Sequence, residues 1–228
     1  MALGASNRAN FQSAADATSY NVSVSAPNSD CWLVIDVFSR HATVNPNLPT
    51  LSGGGLTYTP EANVLSATVR RLSRTVAKIT TSPGAYTLVA DFAGQTQTQC
   101  MVHVTEITGG DTSDILVNGN SLTNTGTGVT SGSVTLGAFA DAGDRPLLAI
   151  AVTGGVTITP EATELAEATA GENITLETSW DAAVADLTPS ASWGVSDDFL
   201  AIASELRIVS GGGSTTLDPF GMSGFFGG

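Results

Sequence analysis

Positive charge is what this chain has least of: 8 basic residues stand against 21 acidic ones in 228, a formal charge of -13 and a pI of about 4.2. Nucleic-acid binding rests on neutralising phosphates with Lys and Arg, so DNA, RNA and anionic membrane surfaces are set aside as partners. The ordinary consequence of the acidity is solubility and self-repulsion. Cysteine is scarce too. Cys31 and Cys100 are too few for a disulfide framework and have no metal-ligand spacing. They read as buried free thiols, with a disulfide left open should their strands be neighbours. No apolar run reaches the roughly 18 to 20 residues that cross a bilayer. Residues 1–20 lack the basic-then-apolar order of a secretion signal, so synthesis in the cytoplasm without a leader is expected.

Histidine is nearly absent, which bears on catalysis. A Ser-His-acid hydrolase needs a base beside its nucleophile, and only His41 and His103 exist. His41 falls in a polar run just past a strand, His103 inside another strand, and neither has a G-x-S-x-G elbow beside it. No catalytic residue and no cofactor site is assigned, and the chain reads as non-enzymatic. The carboxylate pairs Asp111 with Asp114, Asp141 with Asp144, and Asp197 with Asp198 lack a full calcium ligand loop and read as turn acids, so no metal ligand is assigned. Glu167, Glu172 and Glu177 give no assignable glycosidase pair. Trp32, Trp180 and Trp193 would stack on sugars if two of them faced solvent together; core packing is their default.

Hydrophobic residues make up 42% of the chain, enough for a real core. They come in short segments punctuated by Gly and Pro. Residues 20–25 alternate apolar with polar, the period of a half-buried strand, and residues 32–38 (WLVIDVF) are continuously apolar, as a central strand is. Further strands are expected at 65–69, 75–79, 86–92, 101–107, 134–139, 147–152, 174–178 and 199–209, with turns at 52–55, 82–84 and 109–111. Residues 161–170 (EATELAEATA) compete as one short helix. Many short strands between turns predict an all-β sandwich or barrel.

The chain also echoes itself. TYTPEAN at 57–63 returns as TITPEAT at 157–163; residues 32–37 are echoed by 146–152, 89–92 (VADF) by 184–187 (VADL), and 102–107 by 201–206. The separations are 114, 100, 95 and 99 residues (146 against 32, 157 against 57, 184 against 89, 201 against 102). Two related halves, about 19–110 and 130–209, are expected to supply strands to one antiparallel jelly-roll β-sandwich spanning 19–209. Two small domains are the alternative. The Gly-, Thr- and Asn-rich stretch 109–132 reads as a surface crossover or linker, and residues 1–18, around the single Phe11, read as an arm.

The order of these phrases resembles a diffuse family of jelly-roll domains, lectin-like and laminin-G-like, found in tailed-phage structural proteins and bacterial surface proteins. The likeness rests on the apolar strand at 32–37, the Gly-rich hairpin at 51–59, the Tyr-Thr-Leu-Val strand at 86–89, the VxVTEITG strand at 102–109, and the restart at 145–148 that runs to 199–208. It implies a binding or scaffolding role: a virion-surface protein, a capsid decoration or cement protein or a neck or tail accessory, that binds other virion subunits and forms a homo-oligomer. A lectin-like module that takes a glycan is the alternative. The tail 210–228 fits the first reading. Behind a glycine spacer it carries Leu217, Phe220, Met222, Phe225 and Phe226, apolar side chains that cannot form a core alone. With Phe11 they are the candidate subunit-interface residues, and docking on the chain's own domain is the plain alternative.

Overall fold

The computed structural model describes residues 2–66, 69–170 and 174–209. Every regular element among them is a β-strand, and every strand pairing is antiparallel. The first half holds β1 (Gly4–Ser13), β2 (Ser19–Val24), β3 (Cys31–Arg40), β4 (Thr50–Ser52), β5 (Thr59–Ser66), β6 (Arg70–Ile79), β7 (Tyr86–Asp91) and β8 (Gln99–Thr108). The second holds β9 (Leu116–Ser133), β10 (Arg145–Thr153), β11 (Ile158–Pro160), β12 (Thr163–Ala170), β13 (Ile174–Trp180) and β14 (Ser190–Leu206).

They form three sheets. A middle sheet runs β1-β8-β3-β6-β5, a small outer sheet β2-β7-β4, and a second large sheet β11-β14-β10-β13-β12, with β9 also paired to β14. The middle sheet is buried on both faces, and this explains why residues 32–38 show no alternation. Leu33, Ile35 and Val37 pack under Val22, Val24, Leu88 and Phe92 of the small sheet's side. The intervening Val34 and Phe38 face the second large sheet. There Phe38, Leu72 and Met101 meet the small side chains Ala149, Ala151, Ala168 and Ala170, large against small across the layer.

Polar groups sit at the centre of that inter-sheet layer. Arg74 of β6 and Asp36 of β3 are both fully buried and paired two-fold, Nε to Oδ1 at 2.8 Å and Nη2 to Oδ2 at 3.0 Å. The remaining Arg74 nitrogen crosses to the other sheet, donating to the Leu147 carbonyl and the Ser204 hydroxyl, each at 2.9 Å. In the same row, on the other side of Asp36 from Arg74, His103 of β8 lies opposite Asp36 and bonds Thr178 of β13 through Nδ1 at 2.9 Å. A row of polar side chains therefore fixes how the two large sheets register on each other.

The second large sheet is covered less completely. Ile150, Val152, Ala201 and Ala203 lie under Val134, Leu136, Ile158 and Trp193. Ile158 and Trp193 are opposite each other in the β11–β14 ladder, whereas the segment that begins at Val134 makes isolated backbone bonds, Val134 N to Pro189 O and Leu136 N to Leu187 O. Residues 134–139, expected as a strand, are this covering segment instead.

Four further expectations are corrected. Residues 1–18 are not an arm: β1 is the edge strand of the middle sheet, and the half-buried Phe11 packs on the core with its ring edge-on to Tyr20 at 6.1 Å. The linker-like 109–132 contains β9, the longest strand described. The helical alternative at 161–170 gives way to β12, because alternation places Ala166, Ala168 and Ala170 on the core face and packing overrides helix propensity. Nor do the halves interleave their strands. Each keeps its described strands in its own sheets, and the halves meet face to face, β1 against β12 and β5 against β9.

Removing one partner of the buried pair strands the other. Asp36→Ala is expected to destabilise the chain by about 3 to 5 kcal/mol, and Asp36→Leu with Arg74→Met to recover most of that loss, both read from urea denaturation midpoints.

Candidate functional site

Most of the residues singled out from the sequence hold local structure. His41 caps a turn, its Nδ1 accepting from Thr43 N and Val44 N at 3.0 and 3.1 Å. His103 is buried between sheets, where desolvation lowers its pKa to about 3 and keeps the ring neutral. Asp111 accepts from Ser113 N at 2.7 Å and Asp114 N at 3.3 Å; Asp144 accepts from Ile208 N, and Asp197 from the Thr153 hydroxyl. Among the described residues no group of three or more His, Cys, Asp or Glu is placed to hold a metal ion. Cys31 lies opposite Ile79 and Cys100 opposite Ser39, at the two ends of β3 and about 26 Å apart along the strand. Both thiols are free and buried, and burial pushes Cys31 up to about 12.

The three tryptophans are mostly buried. Trp32 donates its indole N–H to Asp111 O and Trp193 to Val129 O, each at 2.8 Å. Trp180, 8% exposed, lines a cleft of about 270 Å³ with Pro146, Leu148 and Val184, rimmed by Glu161, Asp181 and Asp186. The cleft lies under the loosely bonded cover of the second half. In the first half the phrase VADF ends in Phe92, which is fully buried, while VADL here ends in Leu187, which is 41% exposed. Glu172 and the five tail candidates Leu217, Phe220, Met222, Phe225 and Phe226 lie outside the described residues.

Sequence reasoning passed over two buried glutamates that organise the halves. Glu106 of β8 accepts from Arg8 of β1 (Nη2 to Oε1, 2.6 Å) and from the backbone N of Asn28 (2.6 Å), in the loop before β3. Glu205 of β14 accepts from Asn120 of β9 and from the backbone N of Ala140 (2.7 Å), in the loop before β10. Each carboxylate ties a first strand and a loop to a last strand. Their charges differ in support. Burial alone would raise Glu106, but the bonds from Arg8 and Asn28 hold it below the usual range. Glu205 is raised by burial, with Asp144 adding to the rise against the bonds from Asn120 and the Ala140 amide. The signal was available: both are lone acids within apolar strands, and they coincide when 102–107 is laid on 201–206.

Glu177 is the anomaly. It is fully buried on β13, opposite Glu167 of β12, and neither of its oxygens has a hydrogen-bond partner. Desolvation, with Glu164 and Glu167 nearby, raises it from 4.5 to about 9, so it is protonated in the folded chain at neutral pH.

The chain matches no family model, no curated protein and no solved structure.

Because the folded-state pKa of Glu177 lies above the unfolded value, its contribution to stability is complete below pH 4.5 and is lost as the pH rises toward 9. Glu177→Gln is expected to flatten the fall in melting temperature between pH 5 and pH 9; an unchanged slope would show that the group is already ionised in the fold.

Proposed function

We propose that this chain is a structural protein of a tailed-phage virion, a capsid decoration or cement protein or a neck or tail accessory, that grips neighbouring subunits without transforming them. The observation that carries the reading is strand order. In the first half strand 1 pairs with 8, 8 with 3 and 3 with 6, while 2 pairs with 7 and 7 with 4. Rolling up one long antiparallel hairpin pairs first with last, second with seventh and third with sixth. That is how a jelly roll is wound, and the first half follows it in three of its four pairs, with β5 joined to β6 and not to β4; the architecture is used by capsid and lectin domains.

The second half supports a duplication of the same roll. With β11 set aside, the second large sheet with β9 on its β14 edge runs 9-14-10-13-12, which matches the middle sheet's 1-8-3-6-5 strand for strand. The contacts correspond as well: β1 against β12 answers β9 against β5, as a two-fold relation between the halves requires. Glu106 with Arg8 and the Asn28 amide answers Glu205 with Asn120 and the Ala140 amide. These correspondences support reading the chain as a fused pair of jelly rolls, the second with little outer sheet among its described residues.

Since one fold serves many functions, attachment is the property to test. The apolar tail supplies it in this reading: burying two Phe rings gains on the order of 3 to 6 kcal/mol before ordering costs, and symmetry multiplies each contact. Deleting residues 220–228 is expected to leave the circular dichroism melt unchanged while lowering incorporation into purified particles severalfold; unchanged incorporation would end the proposal.

A lectin-like function is the second reading, favoured by the Trp180 cleft. It predicts that glycans quench the fluorescence of Trp180 and that Trp180→Phe removes the effect; absence of quenching across a glycan array would dismiss it.

A further inference from the structure

β9 is an edge strand unlike the others in this fold. Among the described strands this 18-residue strand pairs with β14 alone, and without a break from Ser121 to Gly126. Proteins protect exposed edges with charges, prolines, short lengths and bulges, because an open row of backbone donors and acceptors templates pairing with another chain. The other edges follow that rule. β1 carries Arg8, β5 carries Pro60 and Glu61, and β12 carries Glu164 and Glu167. β2 and β4 have 6 and 3 residues.

β9 reads LVNGNSLTNTGTGVTSGS, with neither a charge nor a proline. The uncharged stretch extends from Ile115 to Ala140, between Asp114 and Asp141. Its register with β14 is interrupted on both sides of a central stretch, between Leu116 and Ser121 and again from Gly126 through Val129 to Ser131. Gly126 and Gly132 lie against the Phe199 ring, where a Cβ would come within 2.4 and 2.8 Å of ring carbons, and the register slips around Asp197. From Ser121 to Gly126 the pairing with β14 runs without a break, and Leu122, Thr123, Asn124 and Thr125 are all exposed.

We infer that β9 is a docking edge for a second copy of this chain, two β9 strands pairing antiparallel across a two-fold axis. Charge selects the occupant. Two chains of formal charge -13 repel over most of their surfaces, and β9 is a long neutral strip along which they approach without placing like charges together. Closure selects it as well. A foreign strand added to β9 would leave its own outer edge open, whereas an isologous pair consumes both edges and stops at two. The inference stands on the edge itself and holds whatever larger assembly the dimer joins.

The test is sedimentation velocity across a concentration series, with hydrogen exchange of the full-length chain at the two ends of the series. The expected result is a concentration-dependent dimer whose amides at 121–126 lose protection on dilution. Thr123→Lys with Thr125→Lys is expected to weaken the dimer roughly a hundredfold by setting like charges opposite each other. Thr87→Lys, on the interior strand of the small sheet, is expected to leave it unchanged. A chain that stays monomeric with dilution-independent exchange overturns the inference, as does a dimer that survives the paired lysines. Loss of particle incorporation on tail deletion with the β9 dimer intact would separate the two sites.

Discussion

A fully buried ion pair holds the centre of this molecule. Asp36 and Arg74 lie in the layer between the two large sheets, and the arginine also donates to a carbonyl and a hydroxyl of the opposing sheet. Replacing such a pair by apolar groups is often neutral or stabilising, while breaking it is costly. Its value is therefore registry. A flat apolar layer of Phe38, Leu72 and Met101 on alanines permits sliding, and a guanidinium that must reach the Leu147 carbonyl does not. His103 with Thr178 adds a second fixed point in the same layer.

From that constraint follows the division of labour between the halves. The middle sheet has no free face, so the first half is closed on both sides, with Phe92 and Val22 sealing the outer layer. The second half turns one face to the first and covers the other with the short β11, the start of β14 and the segment 134–139, whose backbone bonds are isolated. The features that remain open, the Trp180 cleft and the β9 edge, all belong to the second half. With the first half fully packed and the second less completely covered, the accessible surface is concentrated on the second half.

Much of the all-β architecture was legible in the sequence, because strand periodicity and Gly turns are local signals. The continuous run at 32–38 read correctly as a central strand, and the positive φ of Gly53, Gly54, Gly55 and Gly84 lies at the expected turns. What escaped depended on distant partners. β6 begins at Arg70, but its arginines hide the alternation, and Arg74 is buried only because Leu147 and Ser204 receive it from the other half. β9 has the composition of a loop and becomes a strand because the long β14 offers it an edge. The helix propensity of 161–170 lost to small residues needed against Phe38 and Leu72. Of the candidate site residues, Phe11 proved to pack on the chain's own core, and the organising glutamates were visible only as lone acids in apolar strands.

If the shared polar layer makes the two large sheets one cooperative unit, hydrogen exchange at increasing urea decides the matter most directly. The amides of β3, at the centre of the first half, and of β10, at the centre of the second, should open globally at the same urea midpoint. Separate midpoints for β3 and β10 would mean that the halves fold as independent bodies, and the inter-sheet ion pair would then be a contact between domains and no longer the keystone of one core.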